Sequence, residues 1–261
     1  MRKFLLALGI ILGLLPLPAF AAISVTTLGT HAASTATTNS VTIGVGGVPT
    51  GALVVVEVLD YTSAGSPVLG TVGDTKGNSY TSITSGNPNS NTQSVAAIFY
   101  AWNITALVNT NVITYTTNAS ATDFLEISVF YATGIQTSST PLDTSVTASA
   151  VSNSASPTVT SGTPGVAGEL FAAALAANIA SDFTQDTGNG WAAPFDTGNG
   201  APGISVNGGN QVNAGSGTKV FSPTMSNGDE SWLAVVGFKA TAAAAAVRSA
   251  LPLTGAGGGH G

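Results

Sequence analysis

The sequence predicts an all-β fold: a single antiparallel β-sandwich made of two sheets. Three observations predict it. Apolar residues alternate with polar ones or run on without interruption over strand lengths, β-branched and aromatic residues are concentrated in these runs, and clusters of Gly, Pro, Asn and Ser separate them at short intervals. Many short strands at this spacing are typical of sandwiches and barrels. Jelly-roll and immunoglobulin-like strand orders both fit the pattern.

The first residues predict a secretory signal peptide. Arg2 and Lys3 form a basic start, residues 4–15 are apolar, and Ala19 and Ala21 define an A-x-A cleavage site. The apolar segment is too short for a spanning helix, which disfavours an uncleaved membrane anchor, and no later segment has about 18 uninterrupted apolar residues. The predicted segments are a signal peptide at 1–21, a β-sandwich domain at 22–240 and a flexible Ala/Gly-rich tail at 241–261.

Five long runs predict central strands, because they are apolar on both faces. In the first of them, Leu53 and Val55 lie on one face while Val54 and Val56 lie on the other. The five runs are 52–61, 94–102, 111–117, 124–132 and 231–239. Weaker strand patterns are ISVTTL, SVTIGV, PVLGTV, NSYTSI, TSVTAS, SPTVTS and TKVFSP.

Two alanine-rich stretches and one linker leave alternatives. Residues 169–180 contain enough alanine for a helix, but they lie among strand patterns, so a strand is favoured. Residues 241–247 are a better helix candidate and fall in the low-complexity tail. Residues 133–144 are the softest point of the domain and would separate two small sandwiches, although one larger two-sheet domain is preferred.

Five short motifs carry a resemblance to a known kind of domain. They are VGDTKGNSYTSI (72–83) with its D-x-x-G-N-x-Y pattern, FYAWNI (99–104), NVITYTT (111–117), ISVFYATGI (127–135) and SWLAVVGFKA (231–240). Together they resemble an uncharacterised secreted β-sandwich domain of bacterial and phage-associated surface proteins. The resemblance implies a sandwich fold over most of residues 50–240. It implies no catalytic residues.

Composition and charge exclude several functions. Without Arg2 and Lys3, the mature chain keeps 4 basic and 12 acidic side chains, a net charge of −8, so neither nucleic acid nor an anionic membrane is an expected partner. The chain has no cysteine, no G-x-S-x-G motif and only 2 histidines, His31 and His260. A histidine-centred nucleophile and a zinc site are therefore not expected. No cofactor is predicted, apart from a loose calcium site that is kept open.

Paired carboxylates are the remaining route to catalysis. Glycoside hydrolysis needs two acids about 5 to 9 Å apart, and Glu57, Asp60 and Glu126 lie on predicted strands. Glu57 and Asp60 are three positions apart and so point to opposite faces of one strand. Glu57 and Glu126 would pair only across neighbouring strands. A carboxylate-dependent glycosidase is the least favoured hypothesis; the alternative is that each acid is solvated or hydrogen-bonded.

The stretch DTGNGWAAPFDTGNG (186–200) contains the same five residues twice, ten positions apart. An EF-hand calcium loop is excluded, because Gly188 and Gly190 occupy its positions 3 and 5, which need oxygen-bearing side chains. Asx-turns at the Asp residues, positive φ at Gly188 and Gly198 and type I′ Asn-Gly pairs predict two turns. Pro194 bars the segment between them from a central strand.

Three roles remain for this repeat. A buried Trp191 would cap the core, which is the favoured alternative. An exposed Trp191 beside Asp and Asn would form a sugar-binding platform. A loose calcium site would use carboxylates, amides and backbone carbonyls. The candidate ligand-binding residues are Asp186, Asn189, Trp191, Phe195, Asp196 and Asn199.

The sequence as a whole predicts a non-enzymatic, secreted structural or adhesive protein that associates with itself through strand edges. The alternative is a carbohydrate-binding module that uses residues 186–200 to hold a polysaccharide or another cell-surface polymer. LPLTG (251–255) matches the first part of a cell-wall sorting signal, but AGGGHG follows it instead of a hydrophobic segment with a basic end. Chance or an added sequence is therefore favoured over anchoring.

Overall fold

The structure is a computed structural model that describes residues 21–34, 36–62, 67–87, 94–118, 123–177, 183–184, 186–196, 205–213, 215–226 and 230–242. These residues form 17 strands and one 3-10 helix, Thr187–Asn189. The strands are β1 Ser24–Ser34, β2 Thr38–Thr42, β3 Leu53–Tyr61, β4 Thr71–Asp74, β5 Thr81–Gly86, β6 Ser94–Ala101, β7 Val112–Thr116, β8 Phe124–Thr133, β9 Leu142–Asn153, β10 Val159–Thr160, β11 Glu169–Ala177, β12 Phe183–Thr184, β13 Ala192–Asp196, β14 Ser205–Asn213, β15 Val220–Phe221, β16 Thr224–Met225 and β17 Glu230–Phe238.

The prediction of an all-β antiparallel sandwich is confirmed. The strands divide among five sheets, a finer division than the two predicted. The first central sheet has the order β1-β8-β3-β6-β5, and the second has the order β13-β14-β11-β17-β9. An outer sheet, β2-β7-β4, and two short ribbons, β10-β15 and β12-β16, complete the fold. Residues 1–20 and 243–261, with most of the expected signal peptide and tail, lie outside the described residues.

Three apolar layers hold the sheets together. The inner core lies between the two central sheets and includes Val55, Phe130 and Phe238. The first outer core fills the space between the first central sheet and the outer sheet, around Tyr115. The second outer core lies between the second central sheet and the short ribbons, around Phe221. Each central sheet is therefore buried on both faces, which explains the uninterrupted apolar runs in its strands.

The strand order of the first half of the chain is repeated in the second half. Replacing β1, β8, β3, β6 and β5 by β9, β17, β11, β14 and β13 turns the order of the first central sheet into that of the second. The outer sheet β2-β7-β4 likewise corresponds to the two ribbons, with β7 divided into β15 and β16. The described chain is thus a tandem structural repeat, 24–133 followed by 142–238. Its two halves are joined within the 133–144 segment that the sequence marks as the softest point.

The two halves pack against each other with approximate two-fold symmetry. Strand β1 contacts β13, and its counterpart β9 contacts β5, the counterpart of β13. Exchanging the halves therefore maps one contact onto the other, as in an isologous dimer interface. Residues 21–241 nevertheless form one compact unit. The preferred single domain and the alternative of two small sandwiches each describe part of this arrangement.

The linker between the halves brings three distant parts of the chain together. Thr241 N donates to Gly134 O at 2.8 Å, and Ala21 N donates to Thr241 O at 3.0 Å. Gly134 has a φ of 78°, and a Cβ there would lie 2.4 Å from the carbonyl oxygen of Ala22. Only glycine fits this close approach. The start, middle and end of the described chain thus meet at one place.

The predicted strands and the strands of the structure agree in most places. The alanine-rich segment 169–180 contains β11, as favoured, and Pro194 lies in β13, an edge strand, as expected. The sequence analysis predicts no strand at β12, β14 or β16. The segment SVNGGNQVN that forms β14 has little apolar periodicity, and its place in the sheet comes from pairing with β11 and β13. No helix in the described ranges has the length and apolar character of a membrane span.

Gly86→Ala tests the contact between the halves. A Cβ at Gly86 in β5 would lie 2.1 Å from Cδ1 of Trp232 in β17, a residue of the inner core. Because the indole has no free space to enter, we expect the free energy of unfolding to fall by about 1–3 kcal/mol, measured by urea denaturation. Gly73→Ala is the matched control, since nothing lies within 4 Å of its Cβ position. Equal stability of the two variants would contradict the packing of β5 on β17.

Candidate functional site

In the predicted loop, both carboxylate oxygens of Asp186 accept hydrogen bonds from N–H groups. Asp186 Oδ1 accepts from Asn189 N at 3.3 Å and from Asn189 Nδ2 at 2.9 Å. Asp186 Oδ2 accepts from Asn189 Nδ2 at 2.9 Å and from Ser222 N at 2.6 Å. Asp186 also caps the 3-10 helix that follows it. We call this arrangement the Asp186 clasp; it ties the turn to the segment after β15.

The turn differs in detail from the prediction. Positive φ was expected at Gly188, but Gly188 lies inside the 3-10 helix and Gly190 takes the left-handed conformation, with a φ of 82°. The Asn189-Gly190 pair therefore closes a 3-10 turn, and the expected type I′ turn is wrong here. The cap explains the difference. Because the Asp186 side chain holds Asn189 in the 3-10 turn, the left-handed conformation falls on the next residue, Gly190. Gly198 lies outside the described residues.

Trp191 is a core residue. Its side chain is 2% exposed, its ring lies 5.2 Å from that of Phe221 in an edge-on arrangement, and its Nε1 donates to Val220 O at 2.6 Å. These contacts match the favoured core cap. They correct the sugar-platform hypothesis for this residue, because a ring buried on both sides offers no face to a ligand. Trp191 is buried because it forms part of the apolar second outer core.

The other predicted ligand residues are described in part. Phe195 and Asp196 lie in the edge strand β13, where the structure describes their backbone. They pair with Gly208 and Asn207 of β14. Asn199 lies outside the described residues. The structure brings Asp186, Asn189 and Trp191 together; the side chains of Asp186 and Trp191 are buried, and Asn189 is exposed.

A second clasp occurs at the equivalent connection of the first half, between β4 and β5. Asp74 accepts from Lys76 N at 2.8 Å, from Asn78 N at 3.2 Å and Nδ2 at 2.8 Å, and from Tyr80 Oη at 3.0 Å. Burial and the charge of Asp74 raise the pKa of Tyr80, so its hydroxyl stays protonated and donates. The D-x-x-G-N-x-Y and D-T-G-N-G-W segments thus form the same kind of clasp. Their similarity is a sequence signal of the tandem repeat.

The loose calcium site stays a prediction. Calcium is bound by oxygen atoms, and in the Asp186 clasp both carboxylate oxygens accept from the N–H groups of Asn189 and Ser222. Within the described part of the chain, no group of three or more His, Cys, Asp or Glu side chains is arranged to hold a metal ion.

Glu57 and Glu126 do lie on neighbouring strands, as the hydrolase hypothesis required. In the register of β3 and β8, Glu57 is opposite Ser128, and Glu126 is opposite Leu59, so the two acids are diagonal neighbours. Glu57 is 1% exposed and Glu126 is fully buried. Their strands' inward residues form the inner core, so no substrate reaches these carboxyl groups while the central sheets stay packed. Burial raises the pKa of Glu57 well above its usual value, which keeps it neutral.

Asp60 lies on the opposite face of the same strand, as its spacing from Glu57 predicts. Its Oδ2 accepts from Tyr115 Oη at 3.2 Å and from the hydroxyl of Thr117. Tyr115 in turn accepts from Gly70 N at 2.8 Å. Burial raises the pKa of Asp60, and the two hydroxyl donors lower it in part. This chain of hydrogen bonds joins β3 to the outer sheet and has a structural role.

A carboxyl pair that the sequence did not reveal lies at one end of the second central sheet. Asp143 of β9 is paired with Gly237 of β17, and Gly237 is paired with Phe171 of β11, two residues after Glu169. Because Gly237 has no side chain, the two acids can meet above it. A Cβ there would lie 3.1 Å from Glu169 Oε2.

The two acids of this pair hold different protonation states. Burial and, after it, the neighbouring Asp143 carboxyl group raise the pKa of Glu169 to about 8. Burial also acts on Asp143, but hydrogen bonds from Ser145 and Gly165 outweigh it and lower its pKa to about 2. Glu169 is fully buried and Asp143 is 5% exposed. Between these two pKa values Glu169 is protonated and Asp143 is ionised.

Comparisons with protein-family models and with curated proteins give no match. The resemblance to a secreted β-sandwich domain therefore stays a prediction from the motifs. The acids considered for catalysis or binding that are buried are Glu57, Asp60, Glu126, Asp143, Glu169 and Asp186. Strand edges and sheet faces lie at the surface, where a partner can reach them.

Stability should fall as the pH rises, because Glu169 is protonated in the folded protein. The contribution of protonated Glu169 to the free energy of unfolding is fully present below about pH 4.5, the ordinary pKa of the group. This contribution is lost as the pH rises through about 8. Glu57 and Asp60 act in the same direction. Below pH 3.8 stability should instead fall as the pH falls, because Asp143 becomes protonated towards pH 2 and its contribution to stability is lost. Urea denaturation between about pH 4 and 9 measures the slope. Glu169→Gln should flatten this slope; an unchanged slope would show that Glu169 is not protonated in the folded protein.

Each clasp should stabilise its own half of the fold. Asp186→Ala and Asp74→Ala each leave several N–H groups without an acceptor, so we expect each to lower the free energy of unfolding by about 1–3 kcal/mol. Thr187→Ala, at the exposed neighbouring position, is the control and should change stability by less than about 0.5 kcal/mol. The midpoint temperature of unfolding should be the same in calcium and in EDTA. A midpoint that calcium raises in the wild-type protein but not in Asp186→Ala would support the calcium site.

Proposed function

We propose that this protein is a secreted, non-enzymatic structural protein that assembles with copies of itself through two strand edges. The observation that carries the proposal is the open edge of each central sheet, formed by β1 and by its counterpart β9. An edge strand presents unpaired N–H and C=O groups, which pair readily with another strand.

Both edges are long and carry few charged residues. Strand β1 has 11 residues and β9 has 12, about twice the usual strand length. Neither contains proline, β1 has no Asp, Glu, Lys or Arg, and Asp143 at the start of β9 is the only such residue in that strand. Each strand pair has one register shift, but regular stretches remain at 30–34 and 148–153. Charges and proline are the usual means of blocking an edge, and these stretches have neither.

The opposite edges are built differently. Strand β5 has 6 residues with a register shift, and β13 has 5 residues and contains Pro194. Proline removes a backbone donor and interrupts pairing. Within the two central sheets, β1 and β9 are therefore the edges that invite a partner strand, and β5 and β13 are the edges that do not.

The approximate two-fold symmetry places the open edges on opposite sides of the molecule. Strand β1 lies over β13, at the far edge of the second central sheet, and β9 lies over β5, at the far edge of the first. Pairing at both edges would extend in a line, because each added copy leaves one edge free. The predicted signal peptide and the resemblance to secreted surface domains support an extracellular role for such an assembly.

The alternatives of the sequence analysis have less support. A carbohydrate-binding module on residues 186–200 would need an exposed Trp191, which is 2% exposed. A glycosidase would need accessible acids, and Glu57 and Glu126 face the inner core. We therefore do not carry either of them further.

Sedimentation velocity over a range of concentrations tests the edges. Wild-type protein should form larger species as its concentration rises, whereas Thr27→Lys combined with Val151→Lys should weaken assembly by about tenfold or more, because a lysine in each edge opposes pairing. Val151 is 65% exposed, so the change should leave the fold intact. The matched control is Val45→Lys with Val212→Lys, at exposed positions away from both edges.

Two results would overturn the proposal. One is a wild-type protein that stays monomeric at every concentration. The other is an edge variant that assembles as well as the control variant, which would place the contact elsewhere on the surface.

A further inference from the structure

The outward face of the outer sheet is a grid of hydroxyl groups. Alternation in β2 and β7 sends Val41, Ile113 and Tyr115 into the first outer core and leaves the intervening side chains at the surface. In the register of the three strands, one row is Thr38, Thr116 and Thr71, the next is Ser40, Thr114 and Gly73, and the third begins with Thr42 and Val112. We call these residues the hydroxyl face.

A shallow groove crosses this face at Gly73. Its volume is about 340 Å³, and its lining includes Thr71, Gly73, Thr114 and Thr116. Nothing lies within 4 Å of the position that a Cβ of Gly73 would take. The missing side chain between two rows of threonines is what makes the face concave.

Most of the hydroxyl groups are available to a partner. Ser40 and Thr114 bond each other at 2.9 Å. In the part of the chain that the structure describes, the hydroxyl groups of Thr38, Thr42, Thr71 and Thr116 have no hydrogen-bond partner. A threonine hydroxyl both donates and accepts, so a suitable partner must do the same.

The absence of charged side chains on the face further limits the kinds of partner that it would bind. The hydroxyl face itself has no charged side chain, and Asp74 at its edge is occupied by the clasp with Asn78 and Tyr80. An anionic or cationic polymer would lose hydration here without gaining a counter-charge. A purely apolar surface would leave the hydroxyl groups unpaired. An uncharged molecule rich in hydroxyl groups meets both conditions.

The grid also indicates an extended partner. Neighbouring strands lie about 4.8 Å apart and alternate residues of one strand about 6.7 Å apart, so the face repeats its hydroxyl groups in two directions. In the second half the equivalent layer is divided into two ribbons with two-residue strands, β10-β15 and β12-β16. The two halves share their central sheets but not this face, so the fold alone does not require it.

We propose that the hydroxyl face binds a neutral polysaccharide, with the chain lying in the groove at Gly73. This inference is independent of the strand edges, because the face lies on β2, β7 and β4 and includes no residue of β1 or β9. It differs from the 186–200 platform in using hydroxyl groups in place of an aromatic ring.

Retention of the full chain on insoluble cellulose, chitin and starch granules tests the proposal, with alginate beads as a charged comparison. We expect retention on at least one of the three neutral polymers and none on alginate. Replacing Thr38, Thr71, Thr114 and Thr116 by valine keeps shape and strand propensity while removing the hydroxyl groups, and should reduce retention by about tenfold or more. The matched control carries valine at four exposed threonines outside β1, β9 and the hydroxyl face: Thr81, Thr160, Thr184 and Thr224.

A second variant blocks the groove without removing a hydroxyl group. Gly73→Val places a side chain in open space, so the protein should fold normally and lose retention. The proposal is overturned by wild-type protein that binds none of the neutral polymers, by equal binding to alginate, or by a four-valine variant that binds as well as its control. Sedimentation of the four-valine variant should match wild type, which separates a failure of this site from a failure of edge assembly.

Discussion

Contact between the two central sheets is the interaction on which the rest of the structure depends. It buries one whole face of each sheet, and the inner core contains residues of both halves, such as Leu53 and Leu170. Once these faces are covered, the opposite faces of the same strands are still apolar, and the outer sheet and ribbons are needed to cover them. The layered form thus follows from strands that are apolar on both sides. The chain has no cysteine, so this packing stands in place of disulfides.

The few acidic groups of the described chain are used mostly inside the fold. The Asp74 and Asp186 clasps hold the connections β4–β5 and β12–β13, Asp60 joins β3 to the outer sheet, and Asp143 raises the pKa of Glu169. Buried carboxyl groups are tolerated because they are protonated or hydrogen-bonded. Many of the exposed side chains carry hydroxyl groups, such as those of Thr38, Thr42, Thr71 and Thr116.

The sequence predicted the strands that packing defines and missed what pairing defines. Two-sided apolar runs such as 52–61 predict buried strands, whereas β14 is polar and glycine-rich and becomes a strand through its neighbours. The tandem repeat was hidden because equivalent positions share burial but little identity: Glu57 corresponds to Ala174. The contact of Asp143 with Glu169 depends on Gly237, which is distant from both in sequence. No local pattern contains that information.

The meeting of Ala21, Thr241 and Gly134 has a consequence for how the molecule is tethered. Both ends of the described chain leave the sandwich at one place, beside the linker between its halves. A tether on either end would therefore hold the molecule at the same pole and present the same far end to its surroundings. Tension applied between the two ends would act first on the few backbone bonds at this junction, so the sheets would be spared until the junction opened.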